Sequence, residues 1–158
     1  MEKKKKINIG FIINYRLDGW IGVTNYYLNL FKILKIYKNN YRIVIITDFN
    51  MTKIEEQNFK NYKIIKSKLF DRNNRFKKIS NLLKIAILKR NRKVENFLLD
   101  NKINIISHTS YLGANSMVPS IKWFPDFQEI EFPENFSFRQ RIARKLDVII
   151  SSISSSVI

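Results

Sequence analysis

Short runs of apolar, mostly β-branched residues alternate along this chain with stretches of helical periodicity. Residues 7–14, 42–47 and 103–107 are rich in isoleucine and valine, which is typical of parallel strands that are buried on both faces of a sheet. Between the first two runs, apolar residues recur at helical spacing from 26 to 37, which predicts an amphipathic helix. The alternation predicts an α/β fold with a mostly parallel sheet and helices on both faces.

The remaining segments continue this alternation, so we interpret residues 1–158 as one domain. Thr24 or Asn25 is placed to cap the first helix. Thr52 and Glu55 have the spacing of a capping box, which predicts the start of another helix. The further predicted elements are a short helix at 53–59, a weak strand at 62–65, a long basic helix at 75–99 that ends at Asn101, a strand at 121–124, a short basic helix at 138–146 and a last strand at 147–152. The Lys89–Lys93 run predicts a kink or fraying within the long helix.

Positive charge is the dominant feature of the composition. The formal net charge is +16, and such a charge attracts nucleic acid, anionic lipid or phosphorylated ligands. A general bias of the sequence toward Lys, Asn and Ile explains the charge equally well. The basic side of the 75–99 helix is either a contact with an anionic membrane or a solvated outer face. Basic motifs flanked by aromatic residues, which are typical of RNA-binding proteins, are not visible, so nucleic acid is the less favoured partner.

The residue types that the sequence lacks exclude several kinds of site. It contains no cysteine and one histidine, which excludes disulfides, thiolate zinc sites and a cysteine nucleophile and argues against a metal centre. We therefore expect neither metal nor cofactor. The sequence has no apolar run of the ~18 residues that span a membrane, and its basic start followed by an apolar strand does not resemble a signal peptide. These features predict a cytoplasmic protein, either free or peripheral at the inner face of the membrane.

Candidate site residues follow three of the predicted strands. Gly19 and Gly22 lie between the first strand and the first helix, where they either let the backbone approach an anionic ligand or only shape a turn. His108 ends the strand at 103–107, and it is either catalytic or a structural, hydrogen-bonded residue. Asp126 follows the strand at 121–124, where it is either a general base or the cap of a turn.

Three stretches together resemble the family 4 glycosyltransferases of the GT-B fold. Residues 19–26 (GWIGVTNY) and 28–30 (LNL) are similar to the glycine-bearing first loop and helix of that family. Residues 123–128 (WFPDFQ) and 133–137 (PENFS) resemble a signature of one bacterial branch. Residues 148–152 (VIISS) resemble the strand with paired serines that follows it.

This resemblance implies a Rossmann-like acceptor-side domain of a retaining glycosyltransferase, which moves a sugar from a nucleotide-sugar to a glycan or lipid-linked acceptor. The pathway implied is cell-surface polysaccharide biosynthesis. The resemblance also implies that the sugar transfer uses no metal ion. The family's C-terminal domain binds the donor through a paired-glutamate motif, and no such motif is recognisable here. The family's helix between Ser137 and Ser151 is also longer than the predicted one. We therefore expect a truncated chain with half of an active site and no turnover of its own.

The resemblance also assigns roles to individual residues. Asp126 falls where many relatives carry a cleft histidine, which makes it the first candidate for a catalytic base, and His108 matches a second cleft-edge position more loosely. The candidate substrate-binding residues are Gly19, Trp20, Gly22, Asn25, Phe127 and Gln128. A small basic nucleic-acid-binding protein and a non-catalytic interaction module are the alternatives to this reading.

Overall fold

A computed structural model describes residues 6–13, 21–37, 40–71, 85, 87–108, 112–123 and 128–154, with the backbone alone over 150–154. Its strands are β1 (Ile7–Ile12), β2 (Tyr41–Thr47), β3 (Lys63–Lys66), β4 (Ile105–Ser107) and β5 (Ser120–Ile121). They form one sheet in the order β3-β2-β1-β4-β5. Every pair of neighbours is parallel. The predicted parallel α/β architecture is confirmed.

Three of the described helices pack on the sheet, and two come after its last strand in the chain. They are α1 (Ile21–Ile36), α2 (Lys53–Phe59), α3 (Arg92–Asp100), α4 (Gln128–Glu131) and α5 (Phe138–Ser154), with 3-10 turns at Lys68–Phe70 and Pro133–Asn135. None of the helices within the described ranges is long and apolar enough to cross a membrane.

Two apolar cores lie on opposite faces of the sheet, because side chains alternate between the faces along each strand. The core under α1 and α2 contains Phe11, Ile13, Tyr27, Phe31, Ile43, Ile45 and Phe59. The core under α3 contains Ile12, Val44, Ile46, Phe70, Val94, Leu98, Ile103, Ile106, Leu112 and Val118. Burial on both faces explains why the strands are continuous apolar runs rather than alternating ones.

The chain changes direction within the sheet after β3. The connections β1–α1–β2–α2–β3 run toward one edge, and both helices lie on one face. The chain then returns past β1 to form β4, with α3 on the opposite face. Right-handed crossovers require this exchange of faces when the direction reverses. The neighbours β1 and β4 therefore flank a topological switch point, where α/β proteins bind ligands.

Local sequence signals predict two helix ends correctly. At the start of α2, Thr52 and Glu55 form a reciprocal capping box, in which Glu55 Oε2 accepts the Thr52 N–H at 2.7 Å. At the end of α3, Asn101 is the C-terminal capping residue. Both signals depend on residues close in sequence, so neither requires knowledge of the tertiary structure.

The helix predicted at 75–99 is not continuous, and the interruption falls in the Lys89–Lys93 run, where a kink or fraying is predicted. Residues 75–84 and 86 lie outside the described part of the chain. Residues 87–88 are helical and residues 89–91 are not, and Lys89 has φ 49°. Asn91 then caps α3. The backbone carbonyl of Lys89 accepts the Asn115 N–H at 2.8 Å, and a Cβ on Gly113 would lie 2.2 Å from that carbonyl. Close contact with the 112–118 segment therefore accounts for the break.

The strand predicted at 147–152 is also wrong, since α5 runs without a break from Phe138 to Ser154. The segment contains no Gly or Pro, and β-branched residues disfavour a helix only slightly. The helix is therefore not shortened, and residues 148–152 do not provide the strand that the family resemblance implies.

Thr24 and Asn25 lie inside α1 rather than at its cap, because α1 begins at Ile21. The strand predicted at 121–124 is shorter in the structure, where β5 covers Ser120–Ile121. Residues 122 and 123 are not part of it, and residue 124 lies outside the described part of the chain.

Candidate functional site

The carboxyl ends of β1, β4 and β5 lie side by side at one edge of the sheet. In the register of these strands, Phe11 is paired with Ser107, and Ser107 with Ile121. Neighbouring strands are about 4.8 Å apart, so the exits of β1 and β5 are roughly 10 Å from each other. The N-terminal part of α1 lies above β1 at the same edge and supplies Tyr26. Residues from four elements therefore meet at the switch point.

His108 occupies the centre of this edge in an unusual backbone conformation. Its φ is 65°, in the left-handed region that non-glycine residues seldom adopt. Its N–H donates to the Ile121 carbonyl at 2.7 Å, which continues the pairing of β4 with β5. Strained backbone of this kind persists where the surroundings hold it, and it is concentrated at functional sites.

Both ring nitrogens of His108 have a hydroxyl partner. Nε2 lies 2.8 Å from the Tyr26 Oη, and Nδ1 lies 2.7 Å from the Ser107 Oγ. A neutral imidazole has one N–H and one bare nitrogen. The ring therefore donates to one of these hydroxyls and accepts from the other. The three side chains form a continuous hydrogen-bonded chain, which we call the Ser107–His108–Tyr26 relay.

Aromatic rings surround the imidazole of His108. The ring centroids of Phe11, Tyr27 and Trp123 lie 5.5, 5.5 and 5.2 Å from its own. Burial among these rings lowers the pKa of His108 from 6.5 to about 4, because an apolar environment disfavours the imidazolium ion. His108 is therefore neutral at physiological pH. The desolvation that lowers its pKa also raises the pKa of Tyr26, so that hydroxyl keeps its proton.

Trp123 and Tyr26 form a face-to-face aromatic stack beside the relay, which we call the Trp123–Tyr26 stack. Their rings are almost parallel, with an interplanar angle of 9° and a centroid separation of 4.2 Å, so each ring covers one face of the other. Trp123 is the second residue after β5, and both side chains are only partly buried. Binding sites for small molecules combine aromatic surface with a few fixed polar groups, and the relay with this stack has that composition.

A second polar group lies at the same edge, at the end of β2. Asp48 is buried, and its Oδ1 accepts the Asn50 N–H at 3.1 Å. The Thr47 Oγ1 is buried as well, and it has no hydrogen-bond partner in the part of the chain that the structure describes. Because β2 is the neighbour of β1, these groups lie about one strand spacing from the exit of β1.

The structure places three of the sequence-predicted substrate-binding residues. Gly22 lies in the first turn of α1, and a Cβ added there would meet nothing within 4 Å, so close packing does not require a glycine at this position. Asn25 is exposed on α1, and Gln128 is exposed at the start of α4. The other predicted residues lie outside the described part of the chain, namely Gly19, Trp20, Asp126 and Phe127.

The sequence indicated His108 and the motif that contains Trp123, but it did not indicate the hydrogen bond with Tyr26 or the buried Asp48. Asp48 directly follows a strand, and that position could have marked it. Tyr26 gave no such signal, because its helical spacing with Tyr27 and Leu30 is that of a core residue. Among the described residues, no three His, Cys, Asp or Glu side chains are grouped as metal ligands.

No protein-family model matches this sequence, and no match was found among the curated proteins or the solved structures. Interpretation of the site therefore depends on its own geometry and on the sequence motifs.

Proposed function

We propose that this chain binds a sugar-bearing ligand at the carboxyl edge of its sheet, as the acceptor-side domain of a retaining glycosyltransferase that uses a nucleotide-sugar. The observation that carries the proposal is the Ser107–His108–Tyr26 relay beside the Trp123–Tyr26 stack. In this proposal the face of Trp123 turned away from Tyr26 packs against the apolar face of a sugar ring, and fixed hydroxyl and imidazole groups bind its hydroxyls. The motifs at 19–26 and 123–128 support the same assignment.

In this proposal His108 holds a ligand hydroxyl and does not remove its proton. A group with a pKa near 4 is a weak base at neutral pH. Its hydroxyl partners are neutral, so a sugar hydroxyl can replace the Tyr26 hydroxyl at Nε2 without leaving a charge unpaired. Asp126 lies three residues after Trp123 and remains the predicted base, with the donor-binding groups supplied by a second domain.

Ligand binding tests this proposal directly. The chain has two tryptophans, so titration with monosaccharides, UDP and UDP-glucose can be followed by tryptophan fluorescence and by calorimetry. We expect Trp123→Leu to abolish binding, and Trp123→Phe to retain part of it because phenylalanine keeps an aromatic face. His108→Asn is expected to weaken binding about five-fold, the effect of roughly 1 kcal/mol for one lost hydrogen bond.

Tyr37→Phe is the control, because Tyr37 is an exposed aromatic residue just after α1, and it should leave the affinity unchanged. Failure of every sugar and nucleotide-sugar to bind would contradict the proposal. Tight binding of single-stranded nucleic acid that weakens steeply with salt would instead favour the basic nucleic-acid-binding alternative.

A further inference from the structure

Helix α5 carries a stripe of apolar side chains that the described structure leaves open to solvent. Phe138, Ile142, Leu146 and Ile149 fall within about 80° of the helix circumference. Their exposed fractions are 68%, 43%, 50% and 45%. Neither apolar core contains a residue of α5 among the described residues. Contiguous exposed apolar surface of this kind marks an interaction site.

Two contacts of α5 with the segment that precedes it lie on its other side. Arg144 donates from Nη1 to the Glu129 Oε2 at 2.8 Å, and its guanidinium lies 4.7 Å from the centre of the Phe136 ring. On an ideal helix Arg144 is about 155° from the centre of the apolar stripe. The stripe therefore faces away from these two contacts.

Basic side chains border the stripe on both sides. Arg139 and Lys145 are exposed, and each lies about 60° from the centre of the stripe, in opposite directions. Residues 138–146 (FRQRIARKL) contain four basic residues and no acidic one. The apolar surface is therefore framed by positive charge on a protein whose net charge is already +16.

We propose that α5 docks on an anionic lipid bilayer, lying in the plane of the interface with its apolar stripe inserted. Helices that bind in this way combine an apolar face with Lys and Arg at its borders, whose long side chains reach the headgroups. The positive charges favour an anionic bilayer over a second copy of the chain as the partner of the stripe. Pairing two such stripes would bring the basic side chains of both copies together, and they would repel each other. Four partly exposed side chains also fall well short of the roughly 800 Å² per partner of a stable dimer.

This surface differs from the one expected from the sequence. The helix predicted at 75–99 is interrupted at 89–91, and residues 75–84 and 86 lie outside the described part of the chain, so the membrane contact predicted for it stays a prediction. In addition, Arg90 is bound to the Glu95 carboxylate. The inference about α5 does not depend on the proposed sugar site, and the two are tested by different ligands.

Co-sedimentation of the full chain with vesicles tests the docking. We expect it to bind phosphatidylcholine vesicles that contain phosphatidylglycerol, to bind pure phosphatidylcholine far less, and to dissociate as salt is raised. Arg139→Gln with Lys145→Gln is expected to weaken binding roughly 25-fold, or about five-fold for each charge. Ile142→Gln with Leu146→Gln should weaken it by at least about ten-fold.

Matched controls come from α1, where Ile33 and Ile36 are exposed apolar residues and Lys32 and Lys35 are exposed basic residues. Ile33→Gln with Ile36→Gln, and Lys32→Gln with Lys35→Gln, should bind like the wild type. Circular dichroism checks that every variant is folded. Equal binding of the wild type to neutral and anionic vesicles, or equal loss in the α1 and α5 variants, would overturn the proposal.

The orientation of the helix gives an independent readout. We expect brominated lipid to quench the fluorescence of Ile142→Trp, on the stripe, much more than that of Ala143→Trp, which is about 100° away. Equal quenching of the two would contradict the docking. A dimer that Ile142→Gln with Leu146→Gln dissociates, in a chain that binds no vesicles, would assign the stripe to a second copy and overturn the lipid proposal.

Discussion

Glu95 and His108 are both ionisable side chains withdrawn from water, and the protein stabilises opposite charge states in them. Glu95 is fully buried and accepts hydrogen bonds from the Arg90 Nε and Nη2 at 2.6 and 2.9 Å. These hydrogen bonds hold the pKa of Glu95 below its usual range. His108 has two hydroxyl partners and aromatic neighbours, and burial lowers its pKa until the charge is lost.

This contrast separates the polar cluster that fixes the fold from the one that can accept a ligand. Glu95 also accepts the Met117 N–H at 2.9 Å, so one carboxylate ties α3 to the segment that leads into β5 and Trp123. Exchange of those partners would leave a buried charge unpaired, which is costly. The partners of His108 are neutral hydroxyls, and a ligand hydroxyl can replace that of the partly buried Tyr26 without leaving a charge unpaired.

Removal of the Glu95 charge should produce the largest effect. Glu95→Gln keeps the shape of the side chain but cannot accept both guanidinium hydrogen bonds and the Met117 N–H as a carboxylate does. We expect the free energy of unfolding to fall by about 2 to 3 kcal/mol, measured by urea denaturation.

The control for this variant is Glu56→Gln, because Glu56 forms a more exposed ion pair with Lys66. That change should cost less than about 1 kcal/mol. Equal losses in the two variants would show that the buried pair has no special role, and the contrast between Glu95 and His108 would not hold.

The next largest effect should be a difference in how His108 and Glu95 contribute to stability as the pH falls. The pKa of His108 is lowered on folding, so the unfolded chain takes up the proton first and stability falls as the pH drops below about 6.5. We expect a loss of about 1 kcal/mol between roughly pH 7 and pH 5, reduced from the full shift because the ring is only half-buried. Glu95 stays charged over this range and loses its contribution only as the pH falls below about 4.3.

The measurement is the urea midpoint of the wild type and of His108→Asn over this pH range. Asparagine tolerates the left-handed backbone that His108 adopts, and His108 is the only histidine in the chain. The variant should therefore lose the pH dependence between 7 and 5. An unchanged slope in the variant would assign the acid sensitivity to another group.

The features that could be predicted from the sequence are those that depend on interactions between neighbouring residues. The strand at 42–47 and the capping box at Thr52 were predictable because each signal lies within a few neighbouring residues. The break at Lys89 depends on contact with Gly113, and the Tyr26–His108 hydrogen bond joins residues 82 positions apart. The Lys89–Lys93 run predicted a kink or fraying of the long helix, but no local pattern contains the contact with Gly113 or identifies Tyr26 as the partner of His108.

The C-terminal segment shows a different limit. Residues 147–152 contain Val and Ile in a pattern that suits either a buried strand or one face of a helix. A short apolar run takes the conformation that its context favours, and here it continues the helix that begins at Phe138. The sequence predicted the position of His108 at a strand end, whereas its partners follow from the way α1 and β5 are placed beside it.

The smallest effect should identify which hydroxyl donates to His108. A phenol is a stronger acid than an alcohol, so we expect Tyr26 to donate to Nε2 and Nδ1–H to donate to Ser107. Tyr26→Phe then removes a hydrogen bond that favours the neutral ring, which raises the pKa of His108 and costs about 1 kcal/mol. Ser107→Ala removes only an acceptor and should not raise that pKa. Titration by ¹H–¹⁵N NMR follows the single histidine. A pKa of His108 that rises in Ser107→Ala but not in Tyr26→Phe would show that the donor and acceptor roles of the two hydroxyls are the opposite of those expected.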